Sequence, residues 1–254
     1  MIFSIKQEFY KLKYQKITWF ALVTLLALMV MTSYTIGYGE EKLLLMTCYD
    51  APDWIMFILV IIASTLFSME FQNNTILTLL YKASSKIKVY LSKYIIIFAY
   101  DIFLHVIAIM LTIILKIALI GSKISWLAIY QYQQPIWKNM FKTMLIDLLT
   151  TMLIISLVFL LSCLINKNAV VITLSLLTVF MGQGVSANLL NSNKLVNVLK
   201  WNPFNMINLT RQYYNFGMYY KTTQLINEQI IIGTILYLVL FFVLGYLIFR
   251  QKKF

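Results

Sequence analysis

Six apolar runs, at 17–36, 54–69, 94–120, 143–165, 169–189 and 230–249, leave this chain few choices of fold. A helix of about 20 such residues crosses the roughly 30 Å hydrocarbon core of a bilayer. Backbone polar groups inside lipid must be satisfied by the chain itself, so runs of this length become helices. Charged residues make up only 12% of the 254 positions, against about 25% in a soluble domain. The expected fold is all-α: a polytopic membrane protein with six transmembrane helices, an N-terminal amphipathic helix and an outer helical hairpin before the last span. The second run is short and either extends back past Pro52 or ends near Glu70. The third is long and must tilt or protrude.

Basic residues set the expected orientation. With both termini cytoplasmic, Lys6, Lys11, Lys13, Lys16, Lys82, Lys86, Lys88, Lys93, Lys167, Arg250, Lys252 and Lys253 lie inside, twelve in all. Lys42, Lys123, Lys138, Lys142, Lys194, Lys200, Arg211 and Lys221, eight in all, lie outside. The first outer loop opposes Glu40, Glu41, Asp50 and Asp53 to Lys42 alone, which decides the direction. Cys48 falls in that loop and should meet a membrane-impermeant thiol reagent, whereas Cys163 sits in an apolar run. The net charge of +12 flanks apolar runs and reads as attraction to an anionic leaflet, not to nucleic acid. The first run is too long for a signal-peptide core and lacks a small-x-small site, so it is expected to stay as a span.

Several chemistries are excluded. One histidine rules out His-Glu-x-x-His, and neither cysteine has metal-ligand spacing. No glycine spacing forms a phosphate-cradling loop, so no catalytic residue, cofactor site or metal site is expected in this chain. The sequence reads as one membrane domain over 1–254, with an interfacial helix at 1–16, a cytoplasmic segment at 73–93 and an outer segment at 190–229. Ile2, Ile5, Phe9 and Leu12 recur at helical spacing opposite Lys6, Lys13 and Lys16, as in a helix lying on a membrane surface, either an elbow or a passive anchor.

The stretch Glu70–Lys93, EFQNNTILTLLYKASSKIKVYLSK, carries the most specific pattern. Ile76, Leu79 and Leu80 share a helical face, Ala83-Ser84-Ser85 reads as a break, and Ile87–Lys93 as a second basic amphipathic turn. This segment resembles the signature of exporter permeases of the type-2 ABC family. The matching features are an acidic residue ending the second span, the Thr-led Thr75-Ile76-Leu77-Thr78-Leu79-Leu80, a small-residue turn, and Leu91-Ser92-Lys93. The chain departs from the pattern at Asn74, where the family often has Gly, and at Ala83-Ser84, where it has Pro. The resemblance implies a coupling helix within 73–93, with Glu70, Thr75, Ile76, Leu79, Leu80, Lys86 and Lys88 engaging a separate ABC ATPase subunit. ATP and Mg would be bound by that partner. It further implies a second permease subunit, and short outer helices at 190–229 with Trp201, Pro203, Phe204, Tyr213 and Tyr214 as an outer gate. Leu195, Val196 and Leu199 form one face there, opposite Asn193, Asn197 and Lys200; an interfacial aromatic belt is the plainer reading of the segment.

Inside the spans, Asp101 and His105 stand four apart and pair on one helix face. They are read as a hydrogen-bonded pair between helices, or as a proton or substrate contact. Lys116 and Asp147 are expected to snorkel from span ends, and Gly182-Gln183-Gly184 to permit close helix approach. The functional expectation is a permease subunit of an ATP-driven exporter in the cell membrane of a Gram-positive bacterium. By resemblance, its cargo would be amphipathic or hydrophobic antimicrobial or cytolytic peptides, phenol-soluble modulins among them, with a self-immunity role. The alternative is an ATPase-independent secondary transporter or sensor subunit working through Asp101 and His105.

Overall fold

The computed structural model describes residues 2–36, 39–73, 75–82, 85–191 and 195–252. The described residues form α1 (Ile2–Tyr14), α2 (Lys16–Thr35), α3 (Glu41–Met46), α4 (Ala51–Gln72), α5 (Thr75–Lys82) and α6 (Lys86–Leu115). A π-helical turn, Lys116–Ile120, prolongs α6, and α7 (Ile136–Leu164) and α8 (Asn168–Asn191) follow. Four short helices come next, α9 (Val196–Leu199), α10 (Pro203–Met206), α11 (Leu209–Tyr214) and α12 (Phe216–Thr223), before α13 (Asn227–Gln251). Six of these, α2, α4, α6, α7, α8 and α13, are long and apolar enough to span a membrane, and each contains one of the six apolar runs but for a residue or so at its end.

An even number of spans brings both ends to one face. This terminal face carries α1, α5, the α7–α8 link and the end of α13; the opposite, distal face carries α3, the 121–135 loop and α9–α12. Lys86 Nζ donates to the carbonyls of Arg250 (3.0 Å) and Lys252 (2.9 Å). Lys252 Nζ donates to Cys163 O at 2.9 Å and to Asn166 Oδ1. These bonds satisfy carbonyls that a helix end leaves without partners.

Among the spans α4 is the most enclosed and α13 the most open to surroundings. Phe67 of α4 centres an aromatic core with Tyr90, Phe159 and Phe249, at ring-centroid distances of 4.9–5.8 Å. Each pair adds stabilisation beyond the area it buries. Small residues admit the short distal helices. A side chain at Gly182 would press on Phe204 of α10, and one at Gly233 would collide with Met206 of the same helix. The close approach read at Gly182 is therefore present, whereas a side chain at Gly184 would meet only open space.

Several boundaries differ from the sequence reading. The second span runs past the apolar run at both ends, because Pro52 fits a first helical turn, where its missing N–H costs nothing. The third span begins at Lys86, so Ile87–Lys93 is not a separate amphipathic turn but the start of one 35-residue helix ending at Ile120. At about 1.5 Å per residue it overreaches the hydrocarbon core and projects at the terminal face. The 190–229 segment is a chain of four short helices; Asn193 and Lys194 lie outside the described residues, as do Asn74, Ala83 and Ser84 and the side chains of Ile2 and Leu80.

Cys48 is not the accessible thiol expected. It is fully buried beneath the distal surface, and burial pushes its thiol up to about 12. Cys48, Tyr49 and Asp50 take left-handed φ values of 49°, 55° and 62° in succession, turning the chain from α3 into α4. Such conformations are unfavourable for residues with a Cβ, so packing has to hold this turn, and Cys48 and Tyr49 are both fully enclosed.

Candidate functional site

Four charged side chains from three elements meet where the terminal face joins the spans. Glu8 and Lys11 come from the inner side of α1, Glu70 from the end of α4 and Lys93 from the third turn of α6. Lys93 Nζ lies 3.0 Å from Glu8 Oε2 and 2.6 Å from Glu70 Oε2. Lys11 Nζ lies 3.0 Å from Glu8 Oε1 and 2.6 Å from Glu70 Oε1. Each carboxylate bridges both ammonium groups, and the ring sums to zero charge. Lys93 is 0% exposed and Glu8 1%; burial of this depth is tolerated only where charges are paired and hydrogen-bonded. Lys93 also donates to Leu66 O at 3.3 Å and stands 5.6 Å from the centre of the Phe67 ring. Burial works against the charge on Lys11, but Glu70 and Glu8 outweigh it and raise its pKa.

Helix α5 starts five residues beyond Glu70. A cavity of about 370 Å³ separates it from α1, lined by Gln7, Lys11, Glu70, Thr75 and Leu79 among others. Of the residues expected to engage a partner, Ile76 and Leu79 are turned inward and buried, while Thr75 is exposed at the cavity beside Leu79. The outward face presents Leu77 and Tyr81 instead, with Tyr81 92% exposed. Only Glu70 of the named residues joins the ionic ring. Lys86 closes the end of α13, and Lys88, half-buried, lies in the first turn of α6. The sequence reading missed Glu8, Lys11 and Lys93 as a set because their contacts run between elements 59 and 85 residues apart.

A second polar assembly crosses the membrane interior. His105 Nδ1 is 2.9 Å from Asp101 O and 3.0 Å from Asp101 Oδ1, so the expected i, i+4 pair is present. Its Nε2 lies 3.0 Å from Asp147 Oδ2 of α7. Asp147 therefore does not snorkel: it is fully buried, because His105 and Thr210 supply hydrogen-bond partners that a span end would have sought in water. Thr151 Oγ1 donates to Asp101 Oδ2 at 2.7 Å, and Thr210 Oγ1 of α11 donates to Asp147 Oδ1 at 2.8 Å. Both ring nitrogens face acceptors, and a neutral imidazole has one N–H. A proton beyond that one is accordingly shared within the Asp101–His105–Asp147 set.

The next residue of α11 continues the tie at the distal face. Arg211 reaches Asp53 of α4 through Nε at 3.2 Å and a terminal nitrogen at 3.0 Å, and Gln183 of α8 through the other at 2.7 Å. Burial opposes its charge, but Asp53 overrides this and raises the guanidinium pKa still further. Of the residues read as an outer gate, Pro203 opens α10 behind the N-cap Asn202, and Phe204 packs over Gly182. Tyr213 stacks on Tyr132 with centroids 5.0 Å apart. Tyr214 offers its carbonyl to Gln131, and Trp201 lies beside Gly233. These five are spread over α9–α11 and their supports, not gathered round one opening. Lys116, at the distal end of the third span, donates to Gly121 O at 3.0 Å.

Residues 4–182 match the family described as ABC-2 family transporter protein. The match takes in α1, the ionic ring, α5, four complete spans and much of the fifth. The chain belongs to the ABC-2 transporter family. No curated protein matches it. Membership makes this permease the transmembrane component of an ABC transporter, a transport component and not itself an enzyme, and implies association with an ABC ATPase subunit. The permease is a multi-pass membrane protein.

Proposed function

We propose that the permease exports amphipathic or hydrophobic peptides from a Gram-positive bacterium, driven by a separate Mg-ATP-binding subunit docked on α5. On this reading the terminal face is cytoplasmic and a second permease subunit completes the pathway. The observation that carries it is the setting of α5. A short helix stands off the end of α4, presents Leu77 and Tyr81 outward, and begins five residues after Glu70, which belongs to the buried ionic ring that fastens α1, α4 and α6 together. A push on α5 would pass through the end of α4 to Glu70 and so to the ring. Peptide cargo is supported by the scarcity of polar lining. Asp101, His105 and Asp147, the ionisable groups deepest within the spans, are committed to one another, which leaves little for a wide aqueous channel but suits cargo that partitions into the interface. Export and self-immunity use the same movement of peptide away from the membrane.

The test is affinity capture of the tagged permease from detergent extract, followed by mass spectrometry. An ABC ATPase should co-purify with the natural chain, and Tyr81→Asp should reduce it at least several-fold without loss of membrane insertion. ATP hydrolysis by the captured complex should rise with amphipathic helical peptides and not with sugars. Undiminished capture with Tyr81→Asp would sink the docking face. Stimulation by a saccharide-lipid in place of peptide would sink the cargo.

A further inference from the structure

The bend between α1 and α2 leaves an apolar groove of about 320 Å³ against α6. Phe9, Leu12 and Trp19 wall it from one side, and Ala99 and Phe103 from the other. The polar atoms in these walls are used internally. Thr18 Oγ1 donates to Leu12 O at 2.8 Å, Trp19 Nε1 to Lys13 O at 2.8 Å, and Tyr100 Oη to Thr18 O at 2.9 Å. What remains facing the groove is almost entirely carbon, and Lys13, whose ammonium group stands 5.9 Å from the centre of the neighbouring Tyr14 ring, is the charged residue of its walls.

We propose that this groove binds an anionic phospholipid of the leaflet on the terminal face, with an acyl chain in the groove and the headgroup phosphate at Lys13. The inference rests on the six spans alone, not on the cargo or the ATPase. Depth supports it: the groove lies where an interfacial helix meets the start of a span, the level at which headgroups join acyl chains, and Trp19 is a residue favoured there. Charge decides the class of lipid. The only carboxylate of α1, Glu8, is turned away into the ionic ring. The exposed charges on α1 and at the first residue of α2, Lys6, Lys13 and Lys16, are all positive. A zwitterionic headgroup would bring its own ammonium against them.

The purified full-length chain in non-ionic detergent, offered equal amounts of dioleoyl phosphatidylglycerol and dioleoyl phosphatidylcholine, provides the test by native mass spectrometry. The natural chain should retain phosphatidylglycerol in preference. Lys13→Glu, at an exposed position whose ammonium group stands only over the exposed Tyr14 ring, should lower that retention roughly five-fold or more and leave phosphatidylcholine unchanged. Ala99→Trp, which fills the groove, should lower both. Benzoylphenylalanine in place of Phe103 gives a reading that does not depend on the Ala99 variant folding, and should crosslink to lipid. Equal retention of the two lipids, a phosphatidylglycerol signal untouched by Lys13→Glu, or crosslinking to a second copy of the chain in place of lipid would each overturn the proposal.

Discussion

Asp147 is tied to a helix on each side of it, accepting from Thr210 of α11 and sharing a hydrogen bond with His105 of α6. Removing its carboxylate takes one partner from a buried hydroxyl and one from a buried imidazole, leaving Thr210 with Thr150 and His105 with Asp101 alone. Asp147→Ala should therefore destabilise the chain by about 1–3 kcal/mol, read as a lower temperature for loss of the monodisperse species in detergent, with Asp147→Asn closer to the natural chain. Asp50 offers a contrast. Burial, then the neighbouring Asp53, hold it at about 6, against some relief from Arg211. Its folded-state pKa lies above the unfolded one near 3.9, so the protonated form favours folding. That contribution is complete below the unfolded value and is lost as pH rises through about 6. Asp50→Asn, which keeps the left-handed turn and mimics the protonated acid, should melt higher than the natural chain at pH 7.5. The difference should shrink towards pH 5; a constant difference would contradict it. The Asp101–His105 pair was legible in the sequence because four residues on a helix share a face. Asp147, 42 residues from His105, was not, since its partners belong to other elements and no local period announces them.

At the scale of elements, α1 is both a surface helix and a strut. Its apolar and basic faces were readable from spacing, and the helix forms as expected. What spacing could not supply is that Glu8 and Lys11 leave the surface to join Glu70 and Lys93. Lys93→Met removes one cation from a ring of four and leaves two buried carboxylates sharing Lys11. Breaking buried pairs in this way costs about 3–5 kcal/mol, so α1 should detach more often, and amide hydrogens over residues 4–14 should exchange faster. Adding Glu8→Gln to Lys93→Met restores the charge balance and should recover part of the protection. If exchange in α1 is the same in all three proteins, the ring does not hold the helix. The apolar residues of α5 were also visible in sequence, but their direction was not. Ile76 and Leu79 face inward because α4 and α6 pack against that side of the helix, an arrangement set by tertiary contact alone.

The whole molecule was the most legible level, because length and hydrophobicity settle the number of spans without reference to any partner. The distal helices α9–α12 were less so: pieces of four to eight residues carry too little period to be read. Orientation in the membrane is open to direct measurement. With the terminal face cytoplasmic, a cysteine placed at exposed Glu40 should react with an impermeant maleimide in wall-stripped intact cells, and one at exposed Lys6 only after lysis. The opposite pattern would invert the topology. Both natural cysteines, Cys48 and Cys163, are enclosed in the folded protein. The natural chain is thus its own blank for thiol chemistry, and paired nitroxide or fluorophore labels at Lys6 and Tyr81 could follow the separation of α1 and α5 through a transport cycle without first engineering a cysteine-free background.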